Sequence, residues 1–192
     1  HGFDCDFRKS TLFLANLSKS YFKKANLEQA NLNAATLSET NFSEANFDKA
    51  YLYGADLSYV ILNHASFIGT YLSNANFMKA NLKHATFSSA NLTEVNLEGA
   101  YLDGAYFLSS DLSGANLKQI TFAFRADFRD SNLTEVNLSN TDLHKVSFAN
   151  LVLRRANLER SDLSGADLSG ADLSGVNFAN STVWPEGFKH GN

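Results

Sequence analysis

The chain has 192 residues and a formal net charge of −4, from 16 Lys and Arg against 20 Asp and Glu. The signs are mixed along its whole length, so no basic stripe points to a nucleic acid. No apolar run is long enough to span a membrane, no signal peptide is visible, and the single cysteine, Cys5, excludes an internal disulfide and leaves the compartment open.

Six residues precede the first regular position, and the chain begins His1-Gly2 rather than with Met, which reads as a processed or partial start. From Phe7 onward, every fifth residue to Phe122 is Leu or Phe. The series slips by one residue and resumes from Phe128 to Phe178, with Val183 read as its last place, 36 positions in all. Two residues before nearly all of them stands a small side chain, Ala at 19 of the 36, with Cys5 taking this place in the first unit. A period of five fits neither a 3.6-residue helix nor a two-residue strand, so the chain is a repeat architecture. A turn every five residues closes a square in about twenty, with the large residue of each side pointing to the axis. Only a small neighbour leaves room for four large side chains per layer.

Stretches such as Ala25-Asn26-Leu27-Glu28-Gln29 and Ala166-Asp167-Leu168-Ser169-Gly170 read A-(N/D)-L-x-x. In this the chain resembles the pentapeptide-repeat family. The resemblance implies an all-β fold, a right-handed quadrilateral parallel β-helix with four pentapeptides to each coil. The 36 positions then make about nine coils, a rod of about 43 Å at the strand spacing. The expected organisation is one domain over residues 1–183, with a one-residue bulge near 123–126 and a C-terminal cap or tail over 184–192.

Sorting positions by twenties gives four faces. The first stacks a near-continuous phenylalanine column (Phe7, Phe47, Phe67, Phe87, Phe107, Phe128, Phe148) and the second an all-leucine column. On the third, the residue before the large one is usually Asn, at 16, 76, 96, 116, 137, 157 and 177, and such stacked amides can bond along the axis. Trp184 and Phe188 are read as a lid over the last coil, with Pro185 stopping strand addition.

No constellation of nucleophile, base and orienting group is visible, and no pocket is expected in a filled rod, so the chain is read as no enzyme, with no catalytic residues and no cofactor. His64 and His84 share one outward column, preceded by Glu44, and form a weak candidate metal site; an accidental coincidence of variable surface residues is the plainer reading. Outward apolar residues carry more information. Tyr51, Tyr53 and Tyr71 gather on the second face and form the candidate protein-interaction site, with Arg154 and Arg155 further along it. Tyr21, Ile61 and Tyr101 lie along another face, and Phe13, Leu14, Ile68, Met78, Leu108, Phe124 and Val152 also point outward by register.

Two functions from different classes follow. The first is a non-catalytic interaction scaffold, a rod offering flat faces to an unidentified protein partner or associating with itself through an end. The C-terminal run from Ala166 and its Trp-Pro ending look like cyanobacterial members of the family. The alternative is a DNA mimic that binds a type II topoisomerase such as gyrase, as some family members do. That mechanism needs a strongly acidic face, and here Lys and Arg interrupt the acidic columns.

Overall fold

The structure is a computed structural model and describes residues 4–121 and 123–189, including all of Phe124 except its side chain. The readings that fall on His1, on Phe122 and on the outward side chain of Phe124 lie outside the described residues.

Each five-residue unit makes one side of a square. The residue before the large one forms a single parallel bridge to its equivalent one coil on, from Asp6↔Asn26 through Tyr101↔Thr121, always twenty residues apart. Within each unit the large residue donates to the bridge residue of the next coil, as in Phe47 N to Ser66 O at 2.7 Å. A β-turn then closes from the large residue to the next small one, as in Ala50 N to Phe47 O at 2.9 Å. The second residue after the large one is left-handed, as a type II turn requires at its third position. At Lys49, Tyr59, His64 and His84 its φ lies between 54° and 58°. Most of these places are held by residues other than glycine, and the ladder supplies the energy that keeps them there.

The core follows from this geometry. Among the described residues, the large and small inward residues from coil 2 to coil 8 are buried, apart from Ala126, which is partly so, as are Phe7, Leu12, Leu17 and Phe22 of the first coil. Phe47, Phe67, Phe87, Phe107 and Phe128 form one stack, with centroids 4.7, 4.8, 5.0 and 5.1 Å apart and rings within 7° of parallel. These separations match the strand spacing, so the stack is a direct reading of the rise per coil. Several small polar inward residues bond to backbone carbonyls: Thr40 Oγ1 donates to Leu17 O at 2.8 Å and Thr70 Oγ1 to Phe47 O at 2.9 Å. Among the described residues no helix is long and apolar enough to cross a membrane.

On the third face the asparagines form an amide ladder. Asn76 Nδ2 donates to Asp56 Oδ1, Asn96 to Asn76, Asn116 to Asn96 and Asn137 to Asn116, at 3.0, 3.0, 3.1 and 3.4 Å. Each amide oxygen also accepts its own chain's N–H two residues on, for example from Glu98 to Asn96 at 3.1 Å. Asn177 turns instead to Glu159, at 3.2 Å.

The sixth coil carries the extra residue as a short 3₁₀ turn, Ala123–Arg125. Bridges across it span 21 residues, as in Tyr106↔Asp127 and Asn116↔Asn137, and return to twenty at Asn132↔Val152. A second slip lies near the C-terminus and corrects the sequence reading of Val183. That residue bridges Asp162, 21 positions earlier, and points outward with half its surface exposed. The reason is local: the last turn closes between Ala179 and Thr182, at 2.8 Å, one residue later than the repeat dictates. Thr182 thereby takes the small inward place, its hydroxyl on Leu158 O at 2.8 Å, and the large place falls to Trp184. The Trp184 ring meets Phe178 edge-on at 5.5 Å and stacks on Phe188 at 5.2 Å, and both Trp184 and Phe188 pack against the core.

Candidate interaction surface

The second face begins as an uncharged strip. Over its first four coils the bridge, large and turn residues are Thr11–Leu14, Asn31–Ala34, Tyr51–Gly54 and Tyr71–Asn74, with no charge until Glu94. Tyr51 and Tyr71 are successive bridge residues, and their rings stack 5.0 Å apart within 3° of parallel. Tyr53 stands on the turn that follows, its backbone N–H bonded to Asn33 Oδ1 at 2.8 Å. The three are 46%, 59% and 50% exposed, high for side chains of this size on a regular surface.

The neighbouring turns widen the patch. Ile68, three residues before Tyr71, is exposed on one side, and Phe13 and Leu14 are exposed on the other, in the turn column that holds Tyr53. The sequence marked each of these as outward, but only the coil geometry shows that they border one strip. Tyr21, Met78 and Tyr101 are half-buried, and Ile61, Leu108 and Val152 are scattered over other parts of the rod. Tyr59, which the sequence reading passed over, is exposed on the turn after the third face, with Lys79 Nζ 5.6 Å from its ring centre.

The metal candidates are only partly brought together. The His64 and His84 rings lie 4.9 Å apart, whereas the Glu44 carboxylate is drawn to Lys23 at 3.0 Å and Lys24 at 3.6 Å. Among the described residues no three His, Cys, Asp or Glu side chains gather. Arg154 and Arg155 line an open, shallow recess with Thr134, Ser174 and Gly175, but both guanidiniums are engaged, Arg154 with Asp172 and Arg155 with Glu135 at 3.1 Å.

Several charges on the rest of the surface are held in ion pairs. Arg8 grips Asp6 at 2.7 Å and Arg129 grips Asp127 at 2.6 Å. Hydrogen bonds from the Arg8 side chain and backbone N–H lower the Asp6 carboxyl to about 2. The Ser174 hydroxyl, together with Arg154, lowers Asp172 to about 2 as well. Asp103 is the exception in its burial, which raises its affinity for a proton. Lys83 at 3.4 Å and Arg125 at 2.9 Å outweigh that and keep its carboxyl below the usual range.

A tandem five-residue repeat wound into a square parallel β-helix with a filled core defines a solenoid of the quadrilateral class. The chain belongs to the pentapeptide repeat family: the model for pentapeptide repeats (8 copies) matches residues 25–63, 124–160 and 143–180, and that for the pentapeptide repeat region matches 45–117. Members of this family are generally non-enzymatic structural proteins, and the coil is right-handed. Among solved structures, the chain is similar to HetL, a pentapeptide repeat protein involved in heterocyst differentiation regulation from the cyanobacterium Nostoc sp. strain PCC 7120. The two are 26% identical over 92% of this chain and 88% of that one, with a TM-score of 0.61. A pentapeptide repeat protein of the Arabidopsis thaliana thylakoid lumen is 32% identical over 52% of this chain and 68% of that one, with a TM-score of 0.48. Full-length QnrB1, a plasmid-mediated fluoroquinolone resistance protein, is 21% identical over 93% and 81%, with a TM-score of 0.34. No match was found among curated proteins.

Proposed function

We propose that the protein is a non-catalytic interaction scaffold that engages a protein partner through the second face, with Tyr51, Tyr53 and Tyr71 as its anchors. The observation that carries this reading is the exposed Tyr51–Tyr71 stack, 5.0 Å between rings, set in a strip without charge. Tyrosine brings a large, rigid contact area at a low entropic cost, because only two side-chain torsions need to be fixed. The coil ladder holds the backbone beneath these side chains in place before any partner arrives, so little further ordering is needed on binding. Mimicry of DNA toward a topoisomerase requires an uninterrupted acidic face. Asp6, Asp127, Glu135 and Asp172 each have an arginine beside them, which favours the scaffold.

The test is affinity capture from native extract with the wild-type chain and with a Tyr51→Ser, Tyr53→Ser, Tyr71→Ser variant of unchanged thermal stability. Specific partners lost with the variant support the assignment, and a partner set retained in full overturns it. A gyrase supercoiling assay with micromolar protein is the parallel control, in which no inhibition is expected.

A further inference from the structure

His64 and His84 occupy the same place in successive coils, the left-handed residue of the turn after the fourth face, with φ of 58° and 54°. Their backbone N–H groups donate to Lys83 O and Asp103 O, at 2.8 and 2.9 Å, so both side chains leave the rod from fixed and equivalent points. The rings lie side by side, 4.9 Å between centroids and tilted by 30°. Among the described residues neither imidazole has a hydrogen bond or an ion pair.

The charges around them are engaged elsewhere. One coil before His64, Glu44 is held by Lys23 and Lys24, and one coil after His84, Asp103 is buried between Lys83 and Arg125. The next place in the column is Gly104, where a Cβ would fall 2.3 Å from His84 Nδ1, so the absence of a side chain there leaves room for the ring. On the same turn as His64, the Asn63 Oδ1 atom is buried and has no hydrogen-bond donor.

We propose that His64 and His84 form a bidentate site for a divalent first-row transition-metal ion of the kind imidazole prefers, Cu²⁺, Ni²⁺ or Zn²⁺, with water completing the coordination. Metal–nitrogen bonds of about 2.0–2.1 Å set two donor nitrogens about 3 Å apart. Rings 4.9 Å apart reach that separation by tilting their outer edges together. Calcium and magnesium are excluded by chemistry, since they take oxygen ligands. Two imidazoles on a rigid ladder gain from the second donor being held next to the first, and affinity should follow the order in which copper exceeds nickel and zinc.

The experiment is calorimetric titration of the untagged full chain with copper, nickel and zinc chlorides in turn, in a non-coordinating buffer. His64→Gln and His84→Gln are titrated beside it, after metal-free melts establish that both fold as the wild type does. Wild-type binding in the micromolar range, weakened roughly tenfold or more by either substitution, is the expected result. His144→Gln leaves it unchanged. Equal affinity in the wild type and both turn variants, or no heat from the wild type at millimolar metal, overturns the proposal. His1, His144 and His190 are common to the wild type and both turn variants, so the comparison reports on the pair alone.

Discussion

Arg125 reaches back across 22 positions to Asp103, its Nη1 2.9 Å from the carboxylate, while Lys83 approaches the other oxygen at 3.4 Å. The 3₁₀ turn that absorbs the extra residue is thus tied to the coil before it by a buried acid. Asp103→Ala should destabilise the chain by about 1–2 kcal/mol, less than a fully buried pair because both cations are partly exposed. Arg125→Gln should cost less, since Lys83 still satisfies the carboxylate. Urea denaturation of the three proteins checks the order, and a neutral Asp103→Ala would show that the clasp does not hold the register change.

Two glycines separate the cost of a left-handed turn from the cost of crowding. A Cβ at Gly54, φ 63°, meets nothing within 4 Å, whereas at Gly104, φ 65°, it meets the His84 ring at 2.3 and 2.6 Å. Gly54→Ala should therefore lose about 1 kcal/mol from backbone strain alone. Gly104→Ala adds the displacement of the imidazole and should lose roughly 2 kcal/mol in total. Denaturation midpoints that coincide for the two variants would mean that the ring moves aside freely.

How much of this could be read from the sequence differs from feature to feature. The five-residue period identified the columns because burial demands it: a polar residue at Phe67 or Leu72 would face the axis. The Asn ladder was legible in part for the same reason: stacking like with like joins Asn76, Asn96, Asn116 and Asn137, whereas Asn177 turns to Glu159. Asp103–Arg125 was not, because the insertion breaks that arithmetic where the two residues meet. The slip at Val183 was hidden as well, since Val suits an inward place and an outward bridge equally. The tyrosines could be assigned to a face by counting, but the parallel contact of Tyr51 with Tyr71 and the border formed by Ile68 depend on turn geometry that counting does not supply.

Acid should weaken the fold over a defined window. Asp6 and Asp172 titrate at about 2 in the folded chain against 3.8 when free. The unfolded chain consequently binds more protons between those values, and stability falls as the pH is lowered through them. Asp127, Asp162 and Asp167 are shifted in the same direction, by the Arg129 side chain, the Ser164 backbone N–H and the Ser169 hydroxyl respectively. Melting temperatures measured from pH 5 to pH 2 should hold steady at first and then drop below about pH 4. Arg8→Gln and Arg154→Gln should each make the drop shallower. A profile flat down to pH 2 would count against these pairs as contributors to stability.

The amide ladder gives the rod an electrical direction. In every rung from Asn137 down to Asn76 the Nδ2 group points to the lower-numbered coil, and the series ends on the Asp56 carboxylate. No rung can reverse, because each Oδ1 is committed to a backbone N–H of its own turn, as Asn76 is to Met78 and Asn116 to Lys118. The side-chain dipoles therefore add along the third face, with their positive end at the Asp56 carboxylate. Two such rods laid side by side on that face are not equivalent in their two orientations. Opposed dipoles attract and aligned ones repel, so any lateral pairing there has a built-in preference for the antiparallel arrangement.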